Sequence, residues 1–122
     1  MSETLPEELE LLAEWKQRLG LQDWFITLIT HCPKEDLMDN ADGDIDYVES
    51  TKCAKIQIID PEVRPDSLRA FDFEETLVHE LLHCKFALIC KGTDWDNSLQ
   101  LRVAHILIDD MARALVDAKR CK

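Results

Sequence analysis

The sequence predicts an α+β fold: one helix, three strands, then two helices. Three observations carry this. Apolar residues recur at helical spacing near the start and throughout the second half of the chain. Between them lie runs rich in β-branched and aromatic residues, one with period-two alternation. With 122 residues, only three glycines and four prolines, the chain has no room for a long linker. Residues 1–122 therefore read as one domain around one core.

The first helix is expected over Leu5 to Leu19, with Leu5, Leu9, Leu12, Trp15 and Leu19 at helical spacing. Thr4 is the predicted N-cap, Pro6 lies in the first turn and Glu7 completes a Thr-x-x-Glu capping box. Gly20 supplies the left-handed stop. Trp24 to Thr30 is the first strand, ended by Pro33. Asn40, Asp42 and Gly43 are turn residues. Ile45 to Glu49 is a weaker strand, and Lys52 to Ile59 a better one: Ala54, Ile56 and Ile58 alternate with Cys53, Lys55 and Gln57. One apolar and one polar face suit a mainly antiparallel sheet covered on one side. Asp60-Pro61 and Arg64-Pro65-Asp66 break the pattern. Asp72 then caps a helix running from Thr76 to Cys90 and stopping near Gly92, with Glu75 three residues after the cap. Thr93 or Asp94 opens the last helix, in which Leu99, Val103, Ile106, Leu107, Met111, Ala114 and Leu115 keep a helical period. Lys119 and Arg120 in its last turn complement the helix dipole.

Charge and composition narrow the partners. The net charge is −11, which repels a phosphate backbone unless a basic patch overcomes it. Only Lys119-Arg120 are adjacent basic residues, so nucleic acid is not an expected partner. No apolar run reaches the length of a membrane span. The acidic start, Met1 to Glu7, lacks the basic and apolar regions of a secretory signal. The five cysteines form no CxxC pair, and free thiols in a reducing cytoplasm are the simplest reading.

The chemistry concentrates in His79-Glu80-Leu81-Leu82-His83. A spacing of four residues places the two histidines about 40° apart on one helix face, where both imidazoles can reach one metal ion. Zinc (Zn2+) accepts imidazole nitrogen and tolerates the open position that catalysis needs. Glu80 lies about 100° further round, where it can face a metal-bound water as general base. Packing alone would account for Leu77, Val78, Leu81 and Leu82, but not for a polar triplet among them.

A catalytic zinc normally takes three protein ligands. Phe86 and Ile89 stand where the elongated metzincin motif needs glycine and histidine, which excludes that subclass. His105 on the last helix is the remaining candidate. A lone histidine on an apolar helix is often only a hydrogen-bonded core residue. The short connection around Gly92 and Thr93, however, packs the two helices together, and Asp109 one turn beyond can orient a metal-binding imidazole. His31 reads as a strand-end residue. Cys84 and Cys90 read as small buried thiols, although a closed structural site using a cysteine is an alternative.

The segment Glu75 to His83, followed by Asp109-Asp110-Met111-Ala112-Arg113-Ala114-Leu115, resembles the small zincin-type metallopeptidases common in phages and prophages, similar in architecture to the minigluzincins. The resemblance covers most of the chain, and its specific part is the HExxH helix. It implies a zincin-like minimal domain and peptide-bond hydrolysis in which Glu80 moves the proton. It also implies Asp109 as the outer partner of a ligand histidine. The resemblance further implies that a sheet edge near Lys52 to Ile58 binds substrate in extended form. His105 stands where gluzincins carry a ligand glutamate, and three histidines are a known zinc set. Tyr47, the single tyrosine, is a weak candidate for oxyanion contact against a packing role. The rival readings are a non-catalytic zinc-stabilised protein-interaction module, a hydrolase of non-peptide substrates, and a DNA-associated SprT-like protease that the negative charge disfavours.

Overall fold

The computed structural model of the chain describes residues 4–37, 41–64, 69–87 and 99–121. The expected turn at Asn40, Pro65-Asp66 in the connection, and the Cys90, Gly92, Thr93 and Asp94 boundaries lie outside them. Among the described residues there are three α-helices and three strands: α1 (Pro6–Arg18), β1 (Phe25–Cys32), β2 (Gly43–Val48), β3 (Cys53–Ile59), α2 (Phe73–Lys85) and α3 (Leu99–Arg120).

Helix α1 starts differently from the expected Thr4 cap. Leu5 is the N-cap residue, and its backbone N–H donates to Glu8 Oε1 at 2.8 Å. The Thr4 hydroxyl donates instead to the Leu28 carbonyl, 2.8 Å away on β1. The reason lies in Glu8, which is buried although charged. Its Oε1 also accepts the Thr30 hydroxyl at 2.8 Å, and its Oε2 lies 3.1 Å from His31 Nε2. A carboxylate so satisfied can replace an apolar residue at the interface. Leu5 and Leu9 turn outward, and Glu8, Leu12 and Trp15 face inward. His31 is thus a bridge between β1 and α1. At the far end, Gly20 has φ +70°; Leu21 N–H donates to the Lys16 carbonyl and Gly20 N–H to that of Gln17. This is the Schellman stop that a glycine at that position permits.

The sheet order is β1-β3-β2. β2 and β3 pair antiparallel across the turn at Glu49–Lys52, with Ile45 opposite Ile56. β1 pairs parallel with β3, with Leu28 opposite Ile56. The sheet is therefore mixed, not mainly antiparallel. A tight β2–β3 turn occupies one edge of β3, so β1 takes the other edge and its direction follows from the crossover. Alternation fixes which face a residue presents but leaves strand direction open. β3 is the central strand. Both its edges are hydrogen-bonded, so the expected addition of substrate along Lys52 to Ile58 has no free edge there.

The face predictions for β3 hold: Ala54, Ile56 and Ile58 are buried, while Cys53 and Lys55 are exposed. α2 packs across β2 and β3, and α3 packs on α2. Leu77, Val78, Leu81, Ile108, Ala112 and Val116 are 0% exposed. Each large member contributes about 1.5–3 kcal/mol by leaving water. On α3 the buried ridge is Ile108, Ala112 and Val116, spaced by four. Leu99, Val103, Ile106, Leu107 and Met111 are exposed, so the apolar period of that helix marks more than its core face. α2 is capped as expected, the Asp72 carboxylate accepting from Glu75 N–H at 3.1 Å, but it ends at Lys85.

A charge cluster around the buried Glu74 locks the three helices. Trp15 Nε1–H donates to Glu74 Oε2 at 2.6 Å. Lys119 reaches the same oxygen and also Glu14 at 3.0 Å. Arg120 donates to both oxygens of Asp72, at 2.6 and 3.0 Å, and to Glu74 at 3.2 Å. Burial works against the Glu74 charge, but Lys119, Trp15 and Arg120 outweigh it and hold the carboxyl below its ordinary 4.5. Arg120 does the same for Asp72, against some desolvation. Both carboxyls are more acidic folded than unfolded. The stability they contribute is therefore complete above about 4.5 and is lost as pH falls through their folded values. Melting temperature should drop as pH is lowered from about 6 to about 3, and more shallowly in Glu74→Gln. An unchanged slope in that variant would place the acid lability elsewhere.

Candidate metal centre

His79 and His83 project from α2 and His105 from α3, and their candidate ligand nitrogens lie within 4.8 Å of one another. The ring centroids are 5.3 Å apart for His79 and His83, 4.9 Å for His79 and His105, and 5.5 Å for His83 and His105. The predicted trio is thus brought together, and it can hold a metal ion. A tetrahedral set with metal–nitrogen distances near 2.1 Å separates its nitrogens by about 3.4 Å.

The sequence explains the convergence. Leu77, Val78, Leu81 and Leu82 drive α2 into the core and leave the i, i+4 histidine pair on the flank facing α3. The α2 N-terminus meets the α3 C-terminus through Asp72, Glu74, Lys119 and Arg120, so the two helices run antiparallel. That direction carries His105 and Asp109 to the level of His79.

The electrostatics keep the two imidazoles of α2 ready for a cation. Burial, with His79 and His105 beside it, pushes the His83 ring down to about 3. Burial and His105 also lower His79, against the pull of Asp109. Both are neutral at physiological pH, the form that ligates metal. Asp109 Oδ1 sits 3.3 Å from His79 Nδ1, which leaves Nε2 of that ring for the centre. The carboxylate one turn beyond His105 therefore serves His79 on the facing helix.

Glu80 is 5% exposed, and burial, with Asp44 adding a like charge, pushes its carboxyl up to about 8. A cation nearby would favour the ionised form. β2 approaches it closely at Gly43: a Cβ there would lie 3.0 Å from Thr76 Cγ2, 3.1 Å from the Gln57 carbonyl and 3.2 Å from Glu80 Oε2. Gly43→Ala should displace Glu80 or the strand and destabilise the fold by about 1–2 kcal/mol, read as a shifted denaturant midpoint. An unshifted midpoint would show that the contact relaxes freely.

Cys84 is buried, and desolvation with Glu80 nearby pushes its thiol up to about 12. It stays a protonated core residue. Tyr47 packs, partly buried, against the core. Gly43, Asp44, Arg69, Glu75 and Arg113 are neighbours of the site that the residue pattern did not assign to it. The i, i+4 spacing of Glu75 with His79, and of Asp109 with Arg113, was the available signal.

No protein-family model, curated protein or solved structure matches the chain.

Proposed function

We propose that the chain is a zinc-dependent peptidase of zincin-like architecture, acting on peptide or protein substrate in the cytoplasm. The observation that carries this is the meeting of three imidazoles from two helices, with the buried carboxyl of Glu80 next in sequence to one of them. Three donors among the described residues is the number a catalytic zinc takes, and imidazole nitrogen is a ligand it favours. The HExxH spacing adds the acid–base residue that hydrolysis requires.

His79, His83 and His105 would hold the ion, and Asp109 fixes the His79 ring. When bound, zinc supplies a Lewis acid that polarises a carbonyl and lowers the pKa of a water toward about 7. Glu80 takes the proton of the attacking water and passes it to the leaving amine. β2, an edge strand among the described residues, brings Gly43 against Glu80. A peptide extended along that edge would pass the acid–base residue, which supports β2 over the central β3 as the binding strand.

The test is zinc analysis of the purified protein together with cleavage of a mixed peptide library. The reading expects about one zinc per chain, cleavage that stops on chelation, and recovery on adding zinc back. Stoichiometric zinc with no cleavage, and unfolding on chelation, would favour the zinc-stabilised interaction module instead.

A further inference from the structure

We infer that Arg113 is a positioning residue of the metal centre: it clamps the Asp109 carboxylate so that its other oxygen orients His79. This rests on the zinc reading above. Arg113 Nη2 donates to Asp109 Oδ2 at 2.6 Å, while Asp109 Oδ1 lies 3.3 Å from His79 Nδ1. One oxygen faces the guanidinium and the other the imidazole, so rotation of the carboxylate breaks both contacts.

Arg113 also spans the two helices. Its Nε is buried without a hydrogen-bond partner among the described residues, and Glu75 Oε1 on α2 stands 3.8 Å away, an electrostatic contact beyond hydrogen-bond range. Glu75 is bonded to Arg69, whose Nη1 is 3.9 Å from Asp109 Oδ2. Glu75 lies one turn before His79 on α2, and Asp109 one turn before Arg113 on α3. Two acids and two arginines therefore alternate beside the histidine, and each carboxylate is held from more than one direction. A planar guanidinium suits this geometry, because its donors keep fixed directions where an ammonium would act as a point charge.

Orientation matters to affinity because a ligand ring free to turn loses part of its binding energy to ordering. Loss of an outer partner of a metal-binding histidine typically costs 10- to 100-fold in metal affinity. Arg113 acts through Asp109, so its removal should fall near the lower end, about tenfold. Arg113→Lys keeps the charge without the fork and should recover only part of that loss.

The experiment is competition of zinc between the full chain and a chromophoric chelator, for wild type, Arg113→Met, Arg113→Lys, Asp109→Asn and the Asp109→Asn/Arg113→Met double variant. The methionine keeps the apolar stem, and metal-free melting temperatures identify any variant whose fold has changed. Arg113→Met should weaken zinc binding about tenfold, and the same change should add almost nothing once Asp109 is asparagine. Equal affinity of Arg113→Met and wild type, or losses that add fully in the double variant, would overturn the inference. A wild-type chain that binds no zinc would instead overturn the reading beneath it. Should Arg113→Met fold poorly, the lysine variant carries the same comparison.

Discussion

Glu80→Gln is expected to abolish peptide cleavage while leaving zinc content unchanged. General acid–base catalysis contributes about 100- to 10,000-fold to a hydrolytic step, and the amide can neither accept nor return the proton. The replacement should fold, because glutamine matches the carboxylic acid in shape and Glu80 is already held protonated up to about 8 in the metal-free protein. Its buried surroundings disfavour a charge there, so a neutral side chain costs less in desolvation than a carboxylate would. Cleavage rate and metal stoichiometry measured on one sample separate the two roles. A variant that still cleaves at the wild-type rate would remove Glu80 from the mechanism, and one that loses zinc would give it a part in ligation.

The second large effect is expected for His105→Ala. His105 is the one member of the trio from α3, so its loss should leave a two-histidine site and weaken zinc binding by more than about 100-fold, beyond the usual cost of losing an outer partner. The ring is exposed, unlike His83, so little packing is lost and metal-free stability should hardly change. Zinc at about 100 times its dissociation constant should stabilise the wild-type chain by about 2.7 kcal/mol. The alanine variant should lose most of that melting shift at the same zinc concentration. An undiminished shift would move the third ligand to another residue.

The local signals translated well where one residue type had one physical use. Gly20 closes α1, Asp72 caps α2, and the β3 alternation sorts buried from exposed side chains. The His79–His83 spacing and His105 converge as the helical repeat implies. Local pattern misleads where a partner distant in the chain changes what a residue does. Glu8 displaced Leu5 and Leu9 from the interface because Thr30 and His31 satisfy its carboxylate, and no local pattern announces that. The parallel β1–β3 pairing followed from the order of connections, which period-two alternation does not encode. Asp109 was legible as an outer partner, but its bond to His79 depends on the antiparallel packing of α2 and α3. The apolar residues of α3 fit a helical period on two faces, and only packing shows that Ile108, Ala112 and Val116 are the buried ones. The peptidase reading draws on the HExxH motif and the family resemblance more than on the fold.

The helix-locking cluster also bears on how the chain acquires its structure during synthesis. Glu74 takes its tryptophan partner from 59 positions earlier and its lysine from 45 positions later, while Glu14 and Lys119 are 105 apart. While α1, the sheet and α2 leave a ribosome, Glu74 has Trp15 but neither Lys119 nor Arg120. Its carboxylate is then better placed in water than in the core, which works against closing α1 onto α2 early. The nascent chain should stay open along that seam until α3 arrives and supplies two cations at once. The same helix carries His105 and Asp109, so the histidine trio too would assemble only once α3 has arrived.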